Sequence, residues 1–194
     1  MLGTEEGAPG LGPRSAGKGP ERALFTSTMT RGVYCHPLQV GAQSIDFNQH
    51  VNNVQFVQWL QDVAMAHSAA CGWPLERYQR SGTTWVVRSH FVEYLRPARL
   101  GDDLLLATWI AGFAGDSSPR RTLVWRPHDR KLLARAETVW VFIDAAGGRS
   151  QAVPSDFVAA FDTQQDEKSA LQALRGWVSA VCGGSGAVPA PKGD

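Results

Sequence analysis

The sequence is poor in cysteine, in net charge and in long apolar runs. Three cysteines, Cys35, Cys71 and Cys182, are scattered through 194 residues. An odd count without Cys-x-x-Cys spacing argues against a disulfide framework and a zinc site, and points to a reducing compartment. Cys71, at the end of an expected helix, reads as a small packing residue rather than a nucleophile. Charged residues make up 19% of the chain and the formal net charge is +1. Nothing in that balance calls for a nucleic acid or a bulk membrane partner, although a local basic cluster remains able to hold a small anion. No apolar run approaches the roughly 18 to 20 residues of a membrane span. The first residues lack an apolar h-region and carry Glu5 and Glu6, which disfavours a signal or transit peptide, so a cytoplasmic location is expected. No Gly-x-Ser-x-Gly elbow, dinucleotide fingerprint or zinc spacing is present, and neither a cofactor nor a metal is expected.

What is present falls into a middle and two ends. Residues 1–22 and 183–194 are rich in Gly and Pro and offer little apolar surface against the entropy of ordering, so both are expected to be disordered. The folded domain is expected over about 24–180. Within 25–40 the second half reads as a strand. A helix is expected over about 53–71. On a helical wheel Gln55, Gln58, Gln61 and Asp62 share one arc, while Phe56, Val57, Trp59, Leu60, Val63, Ala64 and Ala66 fill most of the rest. So wide an apolar face requires a helix wrapped by other structure. Asn52 or Asn53 suits the N-cap, Gly72 the stop, and Pro74 follows.

Four strand-like runs come next, at 84–95, 104–113, 121–126 and 131–144, with short turn-rich links that imply antiparallel hairpins. A last helix is expected from 154 or 155, broken near Asp162 and resumed over 167–181. Strand, buried helix, then four antiparallel strands predict an α+β fold in which a curved antiparallel sheet wraps one long central helix.

Three segments carry a family resemblance: DFNQHVNNVQFVQWL (46–60), FVEYLRPARLGDDLLLATW (91–109) and ETVWVFIDAAGGRSQAVPSDF (137–157). Together they resemble the hotdog-fold thioesterases of the 4-hydroxybenzoyl-CoA thioesterase-like group. The first is also similar to the DxNxHVNN motif of acyl-ACP thioesterases. The resemblance covers about 24–160 and implies hydrolysis of an acyl-CoA, without a cofactor, in a homodimer or dimer of dimers whose sites lie between subunits. The alternatives are an acyl-ACP thioesterase and a non-catalytic hotdog protein that binds acyl ligands. Against the acyl-ACP alternative, those enzymes usually carry two hotdog repeats, and this chain has room for one.

The resemblance implies that Asp46 is the catalytic carboxylate, as general base or as nucleophile. The backbone N–H at Asn53 would hold the oxyanion, since the first amides of a helix lack internal partners at the positive end of its dipole. Asn48 and His50 match the polar motif letter for letter, either as reacting groups or as a scaffold for the loop. Some relatives carry a catalytic Glu or Asp on the central helix. Gln61 occupies that slot and cannot be a base, and Asp62 beside it reads as a solvated or subunit-facing side chain. His67 on the apolar arc reads as a satisfied core residue, and His90 and His128 receive no role. Among Arg88, Arg96, Arg99, Arg120, Arg121, Arg130 and Lys131, the pair Arg120 and Arg121 is the favoured substrate-binding clamp for CoA phosphates.

Overall fold

The computed structural model describes residues 26–164 and 166–182; the two expected disordered ends lie outside these residues. Two short strands open the chain, β1 (Thr28–Thr30) and β2 (Val33–Gln39). A single 3-10 turn follows at Ala42–Ser44. Helix α1 occupies Asn53–Ala70. The Asn52 side chain caps it by accepting from the Val54 N–H at 2.8 Å. Its far end closes on Gly72, whose φ of 80° suits the left-handed stop.

Helix α2 (Leu75–Ser81) follows at once, where the sequence LERYQRSG reads as a short turn-rich link. Three long strands and one of middle length complete the sheet: β3 (Thr83–Tyr94), β4 (Asp103–Ile110), β5 (Ser117–Arg126) and β6 (Lys131–Asp144). Two helices end the described chain, α3 (Ser155–Ala159) and α4 (Glu167–Cys182).

All pairings are antiparallel, in the order β1-β2-β4-β5-β6-β3. Two expected hairpins form, β4–β5 and β5–β6. The third does not: β3 pairs with β6 and not with β4. Residues 95–102 therefore carry the chain from one edge strand to the opposite side of the sheet. Their length permits a hairpin, but both edges of β4 are taken, one by β2 and the other by β5.

The sheet is covered on both faces. On one, Leu104, Leu106, Val124 and Ala134 pack against Phe56, Trp59 and Val63 of α1. On the other, Leu105, Ala107, Trp109 and Leu123 pack against Ala170, Leu174 and Trp177 of α4. Alternation along β4 sends successive residues to the two faces, so a run with no polar interruption before Thr108 is required. Each large side chain so buried contributes about 1.5–3 kcal/mol. The fold is the expected hotdog, with its outer face sealed by a C-terminal helix.

Leu174 is fully buried in that outer layer. Leu174→Ala is expected to cost about 2–5 kcal/mol in urea denaturation. A loss under about 0.5 kcal/mol would show that α4 does not cover the sheet in solution.

Candidate functional site

The mouth of α1 is a narrow hairpin. The Asn52 N–H donates to the Ser44 carbonyl at 2.9 Å, Ile45 bridges Val51, and the Asp46 N–H donates to the His50 carbonyl at 2.8 Å. The chain reverses over Phe47, Asn48 and Gln49, with Gln49 at a φ of 62°. Asp46 braces this reversal from inside. Its Oδ1 accepts from the N–H of Asn48 at 2.8 Å and of His50 at 3.3 Å, the geometry of an Asx turn. Its Oδ2 makes no hydrogen bond among the described residues.

Asn48 and His50 thus orient Asp46 with their backbone amides. Their side chains make no hydrogen bond among the described residues, so the DxNxH letters do not assemble into a side-chain cluster within the protomer.

The hairpin is held from below by the crossing segment. The Val51 N–H donates to the carbonyl of Ala98 at 2.9 Å, and Ala98 is fully buried. Val40 is bonded in both directions, to Asp102 and to Gly101. Arg126 fixes the segment by bonding Asp102 at 2.9 Å and the Pro97 carbonyl at 3.3 Å. The LRPARLGD stretch is therefore a cradle for the loop that carries Asp46.

At the start of α1 the Asn52 cap takes the Val54 amide, and the Asn52 carbonyl takes the Gln55 amide at 2.9 Å. The Asn53 N–H meets no acceptor among the described residues. It stands exposed in the first turn, an open donor at the positive end of an 18-residue helix.

Arg120 and Arg121 do not form one clamp. As neighbours on β5 they point to opposite faces of the sheet. Arg121 lies half-exposed on the α4 side and pairs with Glu137 at 2.9 Å. Arg120 is buried on the α1 side, opposite Thr138 of β6. The other basic candidates are dispersed. Arg96 donates to the Leu132 carbonyl, Arg130 sits at the β5–β6 turn, and Arg88, Arg99 and Lys131 are exposed. On α1, Asp62 is exposed and accepts from Gln58 at 2.8 Å. Gln61 lines a cavity of about 500 Å³.

That cavity lies beneath the second half of α1, with walls from the α1–α2 link, α2, β3, β4, β5 and β6 that include Trp73, Tyr78, Trp85, Ile110 and Trp140. Arg120 forms part of its wall. Around Arg120 runs a polar belt across the inner face of the sheet. Thr108 accepts from Thr122 at 3.0 Å, and Thr138 meets His90 at 2.9 Å. His67, 1% exposed, is stacked on Tyr34 and meets Phe161 edge-on. Its Nδ1 accepts from Arg120 Nη1 at 2.7 Å. Burial, with the Arg120 charge beside it, lowers the His67 imidazole to about 3, so the ring is neutral. Burial lowers the Arg120 guanidinium to about 10.

Sequence reasoning placed His67 in the core but missed its partner. The signal was the set of polar letters on alternate positions of three strands, Thr108, then Ser118, Arg120 and Thr122, then Thr138, which form one belt only after the register is known.

A neutral His67 couples stability to acidity. The folded pKa lies below the ordinary 6.5, so below pH 6.5 the unfolded chain takes a proton that the folded chain refuses. The stabilisation is complete above pH 6.5 and is lost as pH falls toward 3. His67→Gln, whose carbonyl can still accept from Arg120, is expected to remove up to about 1.4 kcal/mol per pH unit of slope from the urea stability profile below pH 6.5. Equal slopes in both proteins would show that His67 titrates normally.

Comparison with known proteins agrees with this architecture. A sequence search of curated proteins gives no significant match. Among the many solved structures that share the fold, three are representative. A hypothetical protein of Staphylococcus aureus in complex with CoA is 20% identical, with a TM-score of 0.63 over 70% of this chain and 85% of that one. A 1,4-dihydroxy-2-naphthoyl-CoA thioesterase from Synechocystis is 21% identical, with a TM-score of 0.62 over 66% and 95%. A protein from Pseudomonas aeruginosa is 18% identical, with a TM-score of 0.59 over 67% and 93%. The family model of the thioesterase-like superfamily matches residues 40–161, a span that runs from the end of β2 through the Asp46 hairpin and all of β6 to the end of α3. The chain belongs to the thioesterase-like superfamily.

Proposed function

We propose that the protein is an acyl-CoA thioesterase in which Asp46 and the Asn53 amide perform the hydrolysis. One observation carries the reading. The Asp46 carboxylate is fixed through Oδ1 and open at Oδ2, on the same hairpin that delivers an unoccupied amide at the start of α1. Similarity to a CoA complex and to a CoA thioesterase supports the carrier.

The two groups divide the chemistry. As general base, Asp46 takes a proton from water while the water oxygen bonds the thioester carbonyl carbon. The carbonyl oxygen becomes an oxyanion and accepts from the Asn53 N–H. The tetrahedral intermediate then expels the thiolate as the C–S bond breaks, and the proton held by Asp46 passes to sulfur. The products are the free acid and CoA-SH. As nucleophile, Asp46 Oδ2 would itself bond the carbon, expel the thiolate and leave an anhydride that water cleaves. In both routes the two backbone amides on Oδ1 hold the carboxylate in place without side-chain help. Asn48 and His50 act by positioning.

A homodimer completes the reading. β3 is 12 residues long and, among the described residues, pairs on one side only. Val86, Phe91 and Tyr94 on it are exposed, as are Phe47 and Val54 around the mouth of α1. A long, apolar open edge is a template for another chain, and a second copy offers the matching edge.

Asp46→Asn is expected to reduce kcat on acyl-CoAs at least about 100-fold while thermal unfolding is unchanged. Full retention of rate would remove Asp46 from the mechanism. Thiol release measured across acyl-CoAs and acyl-ACPs separates the carriers, and inertness toward both sets would favour the binding alternative. Light scattering is expected to give twice the chain mass, with Phe91→Glu shifted toward the monomer; a wild-type monomer at micromolar concentration would refute the dimer.

A further inference from the structure

We propose that the cavity beside α1 binds a small molecule carrying a carboxylate, with Arg120 as the residue that selects it. An acyl group with a terminal carboxylate is one such ligand, and that case alone rests on the thioesterase reading.

Arg120 is 6% exposed. A buried guanidinium is normally matched by a carboxylate, because desolvating an unpaired charge is costly. No carboxylate pairs with Arg120 among the described residues. Its recorded partners are neutral: His67 Nδ1 at 2.7 Å, and Thr108 Oγ1 at the long distance of 3.5 Å. Both use Nη1. The Nε and Nη2 donors have no acceptor among the described residues, and Arg120 lines the cavity. One edge of a planar fork thus remains for a ligand, and a carboxylate satisfies such an edge with two hydrogen bonds.

The rest of the wall fits the same ligand. Trp73, Trp85, Trp140, Ile110 and Phe157 supply apolar surface for a ring or a short chain. The indole N–H groups of the three tryptophans are buried without acceptors. The Tyr78 hydroxyl lies near Ser68 and Trp85, yet neither meets it at hydrogen-bond geometry. The one acid on the wall, Glu76, is exposed on α2 and makes no ion pair with Arg120. The volume of about 500 Å³ is within the range of small-molecule sites.

Two measurements test this. The first compares kcat/KM for glutaryl-, adipoyl- and 4-carboxybenzoyl-CoA, each beside the methyl-terminated acyl-CoA of equal length. At least one carboxylate is expected to be preferred about tenfold or more, and Arg120→Met is expected to abolish that preference, read as the ratio of kcat/KM within each pair. The second needs no turnover and no variant. Benzoate is expected to quench tryptophan fluorescence of the wild-type protein with a Kd at least about tenfold below that of benzyl alcohol. Its carboxylate is expected within about 3 Å of Arg120 in a crystal of the complex. Hydrolysis of both members of every pair at similar rates, with benzoate bound no better than the alcohol, overturns the proposal and leaves the thioesterase reading intact. Benzoate bound at Arg120 in a protein inert on every thioester upholds the cavity assignment and overturns the activity. An Arg120→Met protein that is merely less stable, with the preference unchanged, reduces Arg120 to a structural role and overturns the proposal.

Discussion

A helix wrapped by a sheet has two ends and only one of them needs a chemical answer. The apolar arc of α1 compels burial, and burial fixes where the first turn begins. The amides of that turn lack partners by the geometry of the helix itself. Asn52 satisfies the Val54 amide with its side chain and the Gln55 amide with its carbonyl. The Asn53 amide is what remains. The hairpin that carries Asp46, its cradle on Ala98, and the crossing segment from β3 to β4 all follow from delivering the chain to that point.

The inner face of the sheet obeys a second constraint. Beside the first half of α1 the sheet is aliphatic, with Leu104, Leu106 and Val124. Beside the second half it carries Thr108, Arg120, Thr122 and Thr138, all buried. A buried polar row is tolerable where its members satisfy one another. Here Thr122 donates to Thr108 and Thr138 meets His90, while the described neighbours of Arg120 bring hydrogen-bond acceptors but no negative charge. The contrast between the two halves makes the cavity wall chemically distinct from the core around it.

Much of this was legible from residues alone. The central helix was marked by its apolar arc and by Asn52 and Gly72 at its ends. The pairing of β3 with β6 was not legible, because the length of the 95–102 link allows a hairpin and nothing in it shows that β2 and β5 take both edges of β4. Helix α2 escaped notice because LERYQRSG buries no residue fully and so shows no apolar stripe. The Asp46 loop was visible as a motif, but that Asn48 and His50 meet Asp46 through their backbone amides was not. The Arg120 belt needed register, which sequence order does not supply, and the same alternation that hides it separates Arg120 from Arg121.

The way Asp46 is held has a consequence for mutational tolerance. Amide hydrogens are common to every residue except proline, so positions 48 and 50 can accept broad replacement while the carboxylate keeps its place. The restriction falls instead on backbone shape. Position 49, at a φ of 62°, admits Gly, Asn or Asp readily and β-branched residues poorly. The letters that make the loop recognisable and the properties that make it work are therefore separable, and a protein with few of the former can retain all of the latter.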